Sequence, residues 1–302
     1  MTAATEISGF LLLDKPVGMT SRRALTTAMR LLGTKKGGHG GCLDPFATGL
    51  LPLYFGQATR FADEGLGSDK TYDLTIQLGT QTDTADLEGA VIKTLPVPPL
   101  TETLCQDTLA KFLGPQLQKP PQYSALKHEG KPLYAWARDG VHVEKPARPI
   151  EIYEIILLGF DESRIQLRAR CSKGTYLRVL AESVADALGT CAHASALRRV
   201  GLGTFDIAEG VTLETLEQTA LEDRHRLLCP ISRLLSEYPT VHLTAEQAKL
   251  LLFGQRLSGL IAPEGIVQVC SDTHWLGLAH SEGGALWVKR LLATPICLSS
   301  QQ

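Results

Sequence analysis

Hydrophobic and polar positions along the chain sort into a small set of elements. Phe10 to Leu13 is a continuous apolar run closed by Asp14-Lys15-Pro16-Val17-Gly18, the pattern of a short buried strand ending in a turn. Leu25, Ala28, Met29 and Leu32 then recur at helical spacing, with Thr20 or Ser21 as the cap and Gly33 as the stop. From Thr71 to Gly79 the period drops to two: Tyr72, Leu74, Ile76 and Leu78 share one face, and Asp73, Thr75 and Gln77 the other, which predicts a half-buried strand. Thr101 to Phe112 reads as an amphipathic helix with Leu104, Leu109, Phe112 and Leu113 on its stripe. Ile165, Leu167, Ala169 and Cys171 alternate with Gln166, Arg168 and Arg170, a strand with a basic outer face. After the turn at Ser172-Lys173-Gly174 a helix follows, with Leu177, Leu180, Ala181, Val184 and Leu188 as its stripe and Thr175 as its expected cap. From about Val241 the register changes to a short capped helix, Leu243 to Leu251, and short strands at Ile266–Cys270, Trp275–Ala279 and Leu286–Leu291.

Composition narrows the picture without deciding it. A chain of 302 residues with 44% hydrophobic positions suits one large domain, or one large and one small. A net charge of −2 lacks the basic excess of most nucleic-acid binders, so only local clusters speak for such a partner. The seven cysteines form no C-x-x-C pair, which fits reduced thiols in the cytoplasm and gives no zinc site. No basic segment precedes Phe10, and no apolar run is long enough to span a membrane. Phosphate-loop, H-E-x-x-H and dinucleotide-binding spacings are absent, so nothing in the sequence asks for a cofactor or a metal.

Candidate chemistry concentrates in Gly37 to Pro52, where four glycines and His39 precede Asp44. Glycine at that density serves unusual backbone angles or close approach of a ligand. Asp44-Pro45 alone also reads as the start of a one-turn helix stopped by Gly49. The acidic stretch Gln81 to Gly89 fails the spacing of a calcium loop at Ala85 and Leu87 and reads as a structural turn. Between Gln118 and Gly140, basic residues interleave with Tyr123, Tyr134 and Trp136, a combination suited to phosphates and stacked bases. Arg178, with Thr175 as cap, falls in the first helical turn, where the helix dipole disfavours a cation; that placement implies a nearby anion, either Glu182 one turn along or Asp44. Lys15 is either a solvated turn lysine or a support for the loop.

The loop resembles the signature of the TruB family of pseudouridine synthases, G-H-x-G-x-L-D-P-x-A-T-G-x-L, and fills every fixed position from Gly38-His39 through Asp44-Pro45 to Thr48-Gly49; the common threonine after the histidine is Gly40 here. Lys15-Pro16, Lys70-x-Tyr72, the Pro120-Pro121-x-Tyr123-Ser124-Ala125-x-Lys127 segment, Lys173-Gly174-Thr175-Tyr176-Leu177-Arg178 and His193-x-x-x-Leu197-Arg198-Arg199 match further family motifs. The resemblance implies an α+β fold whose central mixed, largely antiparallel sheet is flanked by helices. It also implies a catalytic domain over 1–236 with an RNA-gripping insertion at about 118–147, and a small PUA-like β module over 237–302. The implied activity is isomerisation of uridine to pseudouridine in the tRNA T-arm stem-loop, at uridine 55, with no cofactor. Asp44, Tyr72 and Arg178 would be catalytic, Arg178 pairing with Asp44 and lowering its pKa, and Tyr72 placed to take the base's proton. His39 would enter the RNA, and Tyr72, Tyr176 and Leu197 would hold the flipped uracil. The implied enzyme is a cytoplasmic monomer that needs no protein partner and no membrane. Two neighbouring readings stay open: a relative of the guide-RNA type, and a catalytically silent RNA-binding or RNA-folding protein. A glycoside hydrolase using Asp44 would need a second carboxylate, and the motifs place none beside it.

Overall fold

The computed structural model describes residues 7–272 and 274–297, with side-chain placement omitted at 65, 66 and 293–297. The first six residues of the expected 1–236 domain, and residues 273 and 298–302 of the expected 237–302 module, therefore lie outside the described residues. The apolar run forms strand β1 (Gly9–Lys15), and helix α1 (Ser21–Leu32) follows, capped by the Thr20 side chain and ended by Gly33 in the left-handed conformation. Strands β2 (Gly37–His39) and β3 (Thr48–Phe55) flank the glycine loop. Strand β4 (Lys70–Leu78) alternates between buried and half-buried positions as its period requires. Helix α2 (Glu102–Ala110) buries Cys105, Thr108 and Leu109. Leu104 and Leu113, assigned to its apolar stripe from spacing, are exposed instead, because only the Cys105–Leu109 side packs on the sheet.

Strands β5 (Gly114–Gln118), β6 (Arg148–Phe160) and β7 (Arg164–Cys171), helix α3 (Leu177–Ala187), and strands β8 (Ala192–Leu202) and β9 (Phe205–Asp206) complete the larger unit. Its sheet runs β1-β3-β8-β4-β7-β6-β5, with β2 on β3 and β9 on β8. Every pairing is antiparallel except β3 with β8. The expected mixed, largely antiparallel sheet is thus the one observed. One edge of β3 is shared between β8 at its start and β2 at its end, and the chain between these two contacts is the glycine loop.

A second sheet of five strands occupies the C-terminal part, with Gly265–Cys270, His274–Glu282 and Ala285–Cys297 as its core, beside a helix at Ala245–Leu252 capped by Thr244. It does not stand apart. Trp275 packs against Phe61 in a tilted pair (5.2 Å between ring centroids, 60° between planes) within a cluster that also holds Phe10, Tyr54 and Phe205, and Lys289 pairs with Glu64 at 2.8 Å. No helix among the described residues is long and apolar enough to cross a membrane. Six cysteines carry free thiols; the side chain of Cys297 lies outside the described residues.

Candidate active site

The glycine loop is an irregular turn and not a one-turn helix: Ala47 donates to the Asp44 carbonyl at 3.1 Å, and Gly49 already belongs to β3 with φ +99°. That angle and the close approach of the Arg199 backbone, which a Cβ at Gly49 would overlap, make glycine the residue the position requires. Ser21, at the start of α1, bonds both the carbonyl and the amide of Leu43 (3.0 and 2.9 Å). Lys15 is fully buried, so the solvated reading fails: its ammonium donates to the carbonyls of Pro16, Met19 and Pro45. Burial lowers its pKa to about 8 against the opposing pull of Asp44. The loop is therefore fixed from below by one strand and one helix terminus.

Gly40, the departure from the family signature, has a local reason. A Cβ there would lie 2.9 Å from the Tyr54 ring, so a large aromatic on β3 occupies the space a side chain would take. The two residues form a size-matched pair.

Arg178 joins four segments. Its Nε lies 3.0 Å from the Asp44 carboxylate, and its Nη1 donates to Asp86 (3.0 Å) and to the Thr84 carbonyl (2.7 Å). Its Nη2 donates to the Tyr123 carbonyl at 2.7 Å, which ties the segment after Pro121 to the site. The expected Asp44–Arg178 contact is present, and Glu182 instead accepts from Gln81 at 2.7 Å. The cap of α3 is Tyr176 without a side-chain bond, while Thr175 donates to the Ser172 carbonyl; Arg178 is thus the second helical residue.

Asp86 is the functional candidate that sequence reasoning missed. Its carboxylate is 5% exposed and accepts from the Thr84 hydroxyl (2.7 Å) and the Glu88 amide (3.0 Å) as well as from Arg178. The turn assigned a purely structural role thus carries a second acid to the shared guanidinium. A sequence signal for it exists only in hindsight: an aspartate between Ala85 and Leu87 in a turn whose Ala85 adopts φ +60°. A companion carboxylate is present after all, yet Asp86 is enclosed and its bonds are taken, so it is no free acid for hydrolysis. Asp44, by contrast, is 38% exposed.

The net effect on Asp44 reverses the expected sign. Its pKa stands above the ordinary carboxylate value because burial and Asp86 favour the neutral form, against Arg178 and Lys15.

Of the remaining predicted residues, the charge of Asp44 reaches Tyr72 and Tyr176, Leu197 shares the core with Leu43 and Tyr72, and His39 stands on β2 at the start of the glycine loop. Tyr72 is buried on β4, its pKa raised by burial, with the charges of Arg199 and Asp44 bearing on it. Tyr176 is half-buried, its amide and carbonyl both bonded to the Gln118 side chain (2.8 and 3.1 Å). Asp44 and Arg178 act on its pKa as well, after burial raises it. Leu197, opposite Leu74 across β8 and β4, shares the core that holds Leu43, Phe46 and Tyr72. His39 is half-buried on β2 with Nδ1 unpaired, its pKa lowered by burial and then by Arg22 and Arg199. Among the described residues, no group of three His, Cys, Asp or Glu side chains is placed to hold a metal ion.

This arrangement can present one ionisable carboxylate, held by a buried arginine, beside two tyrosines and a leucine. Comparison with known proteins gives it a family. The TruB family pseudouridylate synthase N-terminal domain matches residues 29–177, the tRNA pseudouridylate synthase B C-terminal domain 178–236, and the pseudouridine synthase II TruB C-terminal domain 239–292. The chain is 46% identical over 289 residues to tRNA pseudouridine synthase B of Aromatoleum aromaticum, covering 95% of this chain and 94% of that one. It is 45% identical to the protein of the same name from an Azoarcus species, covering 95% and 96%. Among solved structures it resembles those of the archaeal box H/ACA sRNP Nop10–Cbf5 complex (TM-score 0.68, 22% identity, 94% of this chain and 85% of that one) and of a Cbf5–Nop10–Gar1 complex (0.70, 23%, 94% and 84%), a likeness of fold. The chain belongs to the TruB family of pseudouridine synthases.

Proposed function

We propose that this chain isomerises uridine to pseudouridine in tRNA, that its target is the T-loop uridine at position 55, and that Asp44 starts the reaction. The observation that carries the reading is the Asp44–Arg178 pair at 3.0 Å, in a loop fixed by Lys15 and Ser21 and open enough for a substrate to reach the carboxylate. The near-full-length relatives named tRNA pseudouridine synthase B support tRNA as the substrate.

The chemistry follows from the residues. The C1′–N1 bond breaks with its electron pair leaving on the uracil. Asp44, ionised, either bonds to C1′ or removes a sugar proton; both routes need the carboxylate. The uracil turns and its C5 bonds to C1′ as the Asp44–C1′ bond breaks or, on the other route, as Asp44 returns the sugar proton; the C5 proton is then taken up, and N1 gains a proton. Arg178 holds Asp44 in place, Tyr72 receives the C5 proton, and Tyr72, Tyr176 and Leu197 confine the detached base so that it turns without escaping. Extruding the uridine from its loop costs about a few kcal/mol, which His39 offsets by filling the vacated stack. The insertion over 118–147 grips the arm and the PUA-like module over 237–302 adds contact area. The enzyme acts as a cytoplasmic monomer without a protein partner.

Pseudouridine mapping of a T-arm stem-loop transcript incubated with the chain alone tests this. Modification at uridine 55, abolished when that nucleotide is cytidine, is the expected result. Tight binding without modification would favour a silent RNA binder, and modification at another uridine would overturn the assigned site.

A further inference from the structure

We propose that Arg199 is a positioning residue for the proton transfer at Tyr72: it holds the phenol oxygen and stabilises the negative charge that builds there while the C5 proton is exchanged. The inference rests on the reading that Tyr72 receives that proton.

Arg199 lies on β8 directly across from Tyr72 on β4 and is 1% exposed. Its Nη1 is 3.4 Å from the Tyr72 hydroxyl, and its guanidinium carbon is 5.9 Å from the centre of the Tyr72 ring. Its Nε donates to the Leu50 carbonyl at 2.5 Å and its Nη2 to the Gly41 carbonyl at 3.1 Å. Three sides of the guanidinium are thus fixed by β3, by the Asp44 loop and by the phenol. All of these partners are neutral, and among the described residues no carboxylate lies within ion-pair range of Arg199. A buried cation without an anion is costly, and that cost falls when negative charge appears beside it.

The phenol supplies that charge during the reaction. Once C5 has bonded to C1′, the uracil carries an sp3 C5 with one hydrogen and a C6=N1 double bond. The C5 proton passes to the Tyr72 oxygen, the C–H electron pair re-forms C5=C6, the C6=N1 pair moves to N1, and the proton that Tyr72 gives up becomes the N1 hydrogen. Tyrosine and base balance with nothing added. As the phenolic proton departs ahead of the arriving one, the oxygen becomes anionic 3.4 Å from Arg199.

The test is single-turnover kinetics on a T-arm stem-loop carrying uridine or [5-²H]uridine at the target, with wild type, Arg199→Gln, Arg199→Lys, Tyr72→Phe and the Tyr72→Phe/Arg199→Gln double variant. Arg199→Gln is expected to slow the reaction about tenfold to a hundredfold and to enlarge the deuterium isotope effect, because the C5 proton step is the one most impaired. RNA affinity stays the same. Arg199→Lys keeps the cation and recovers part of the rate with a smaller isotope effect than Arg199→Gln; it serves alone should the glutamine variant not fold. In the Tyr72→Phe background Arg199→Gln adds no further loss. A slowed rate with the wild-type isotope effect, or additive losses in the double variant, would overturn the proposal. Wild type that makes no pseudouridine would instead remove the functional reading beneath it.

Discussion

Arg178 and Arg199 are both buried arginines beside the same loop, and their surroundings differ in kind. Arg178 meets two carboxylates and two carbonyls, so its charge is compensated and it works as a joint between Asp44, the Asp86 turn and the Tyr123 segment. Arg199 meets two carbonyls and a phenol, so its charge remains in the floor of the site. The comparison separates two uses of a buried cation. One fixes geometry in the resting enzyme; the other is placed for a charge that exists only in passing. It also bears on Asp44, whose burial, joined by Asp86 on the shared arginine, keeps the carboxylate above its ordinary pKa against the pull of Arg178.

The largest difference expected between the two lies in stability. Arg178→Met leaves Asp86 buried and unpaired, a loss of about 3–5 kcal/mol by chemical denaturation. Arg199→Met costs less, since the three lost hydrogen bonds are accompanied by removal of an uncompensated buried charge. The reverse order would break the comparison. A smaller effect probes the loop that Arg199 holds through Gly41. Gly40→Thr pushes a side chain into the Tyr54 ring and should cost about 1–3 kcal/mol. Tyr54→Leu in the same chain should recover part of it, and additive losses would show that the two sites do not share space.

The smallest expected effect is a shift along the pH axis. Because the folded pKa of Asp44 is raised, the reactive carboxylate is complete above that value and is lost as pH falls through it. The rate should therefore fall on the acid side at a pH above the ordinary carboxylate pKa. Asp86→Asn removes the like charge and leaves Arg178 to Asp44 alone, so the acid limb should move to lower pH in a single-turnover profile. An unmoved limb would show that the division of Arg178 has no electrostatic consequence.

Much of the scaffold was legible in the sequence because local pattern and burial agree there. The alternation of Tyr72, Leu74, Ile76 and Leu78, the Thr20 and Gly33 caps of α1, and the stripe of α3 are set by period and by terminal chemistry. A cation in the wrong part of a helix called for an anion, and the family resemblance singled out Asp44 over Glu182. What was not legible depends on enclosure by distant segments. Lys15 looks like a turn lysine until Pro45, 30 residues on, closes over it. Asp86 looks like a turn residue until a helix 92 positions away brings its arginine. Arg199 had a usable signal, since period two along β8 puts it on the same face as Leu197. The sign of the Asp44 shift rests first on burial, with the second carboxylate adding to it, and neither is a property of the motif.

In the proposed reaction it is the charge of Asp44, positioned by Arg178, and not the shape of its side chain, that drives the isomerisation. The most direct measurement is pseudouridine formation under single-turnover conditions by Asp44→Asn, paired with its RNA affinity and its melting temperature at neutral pH. No detectable turnover, unchanged RNA binding, and a melting temperature equal to or slightly above wild type are expected. Stability falls as pH rises through a raised carboxylate pKa, so at neutral pH the amide relieves a penalty that the folded wild type carries. Substantial turnover by Asp44→Asn would contradict the account outright.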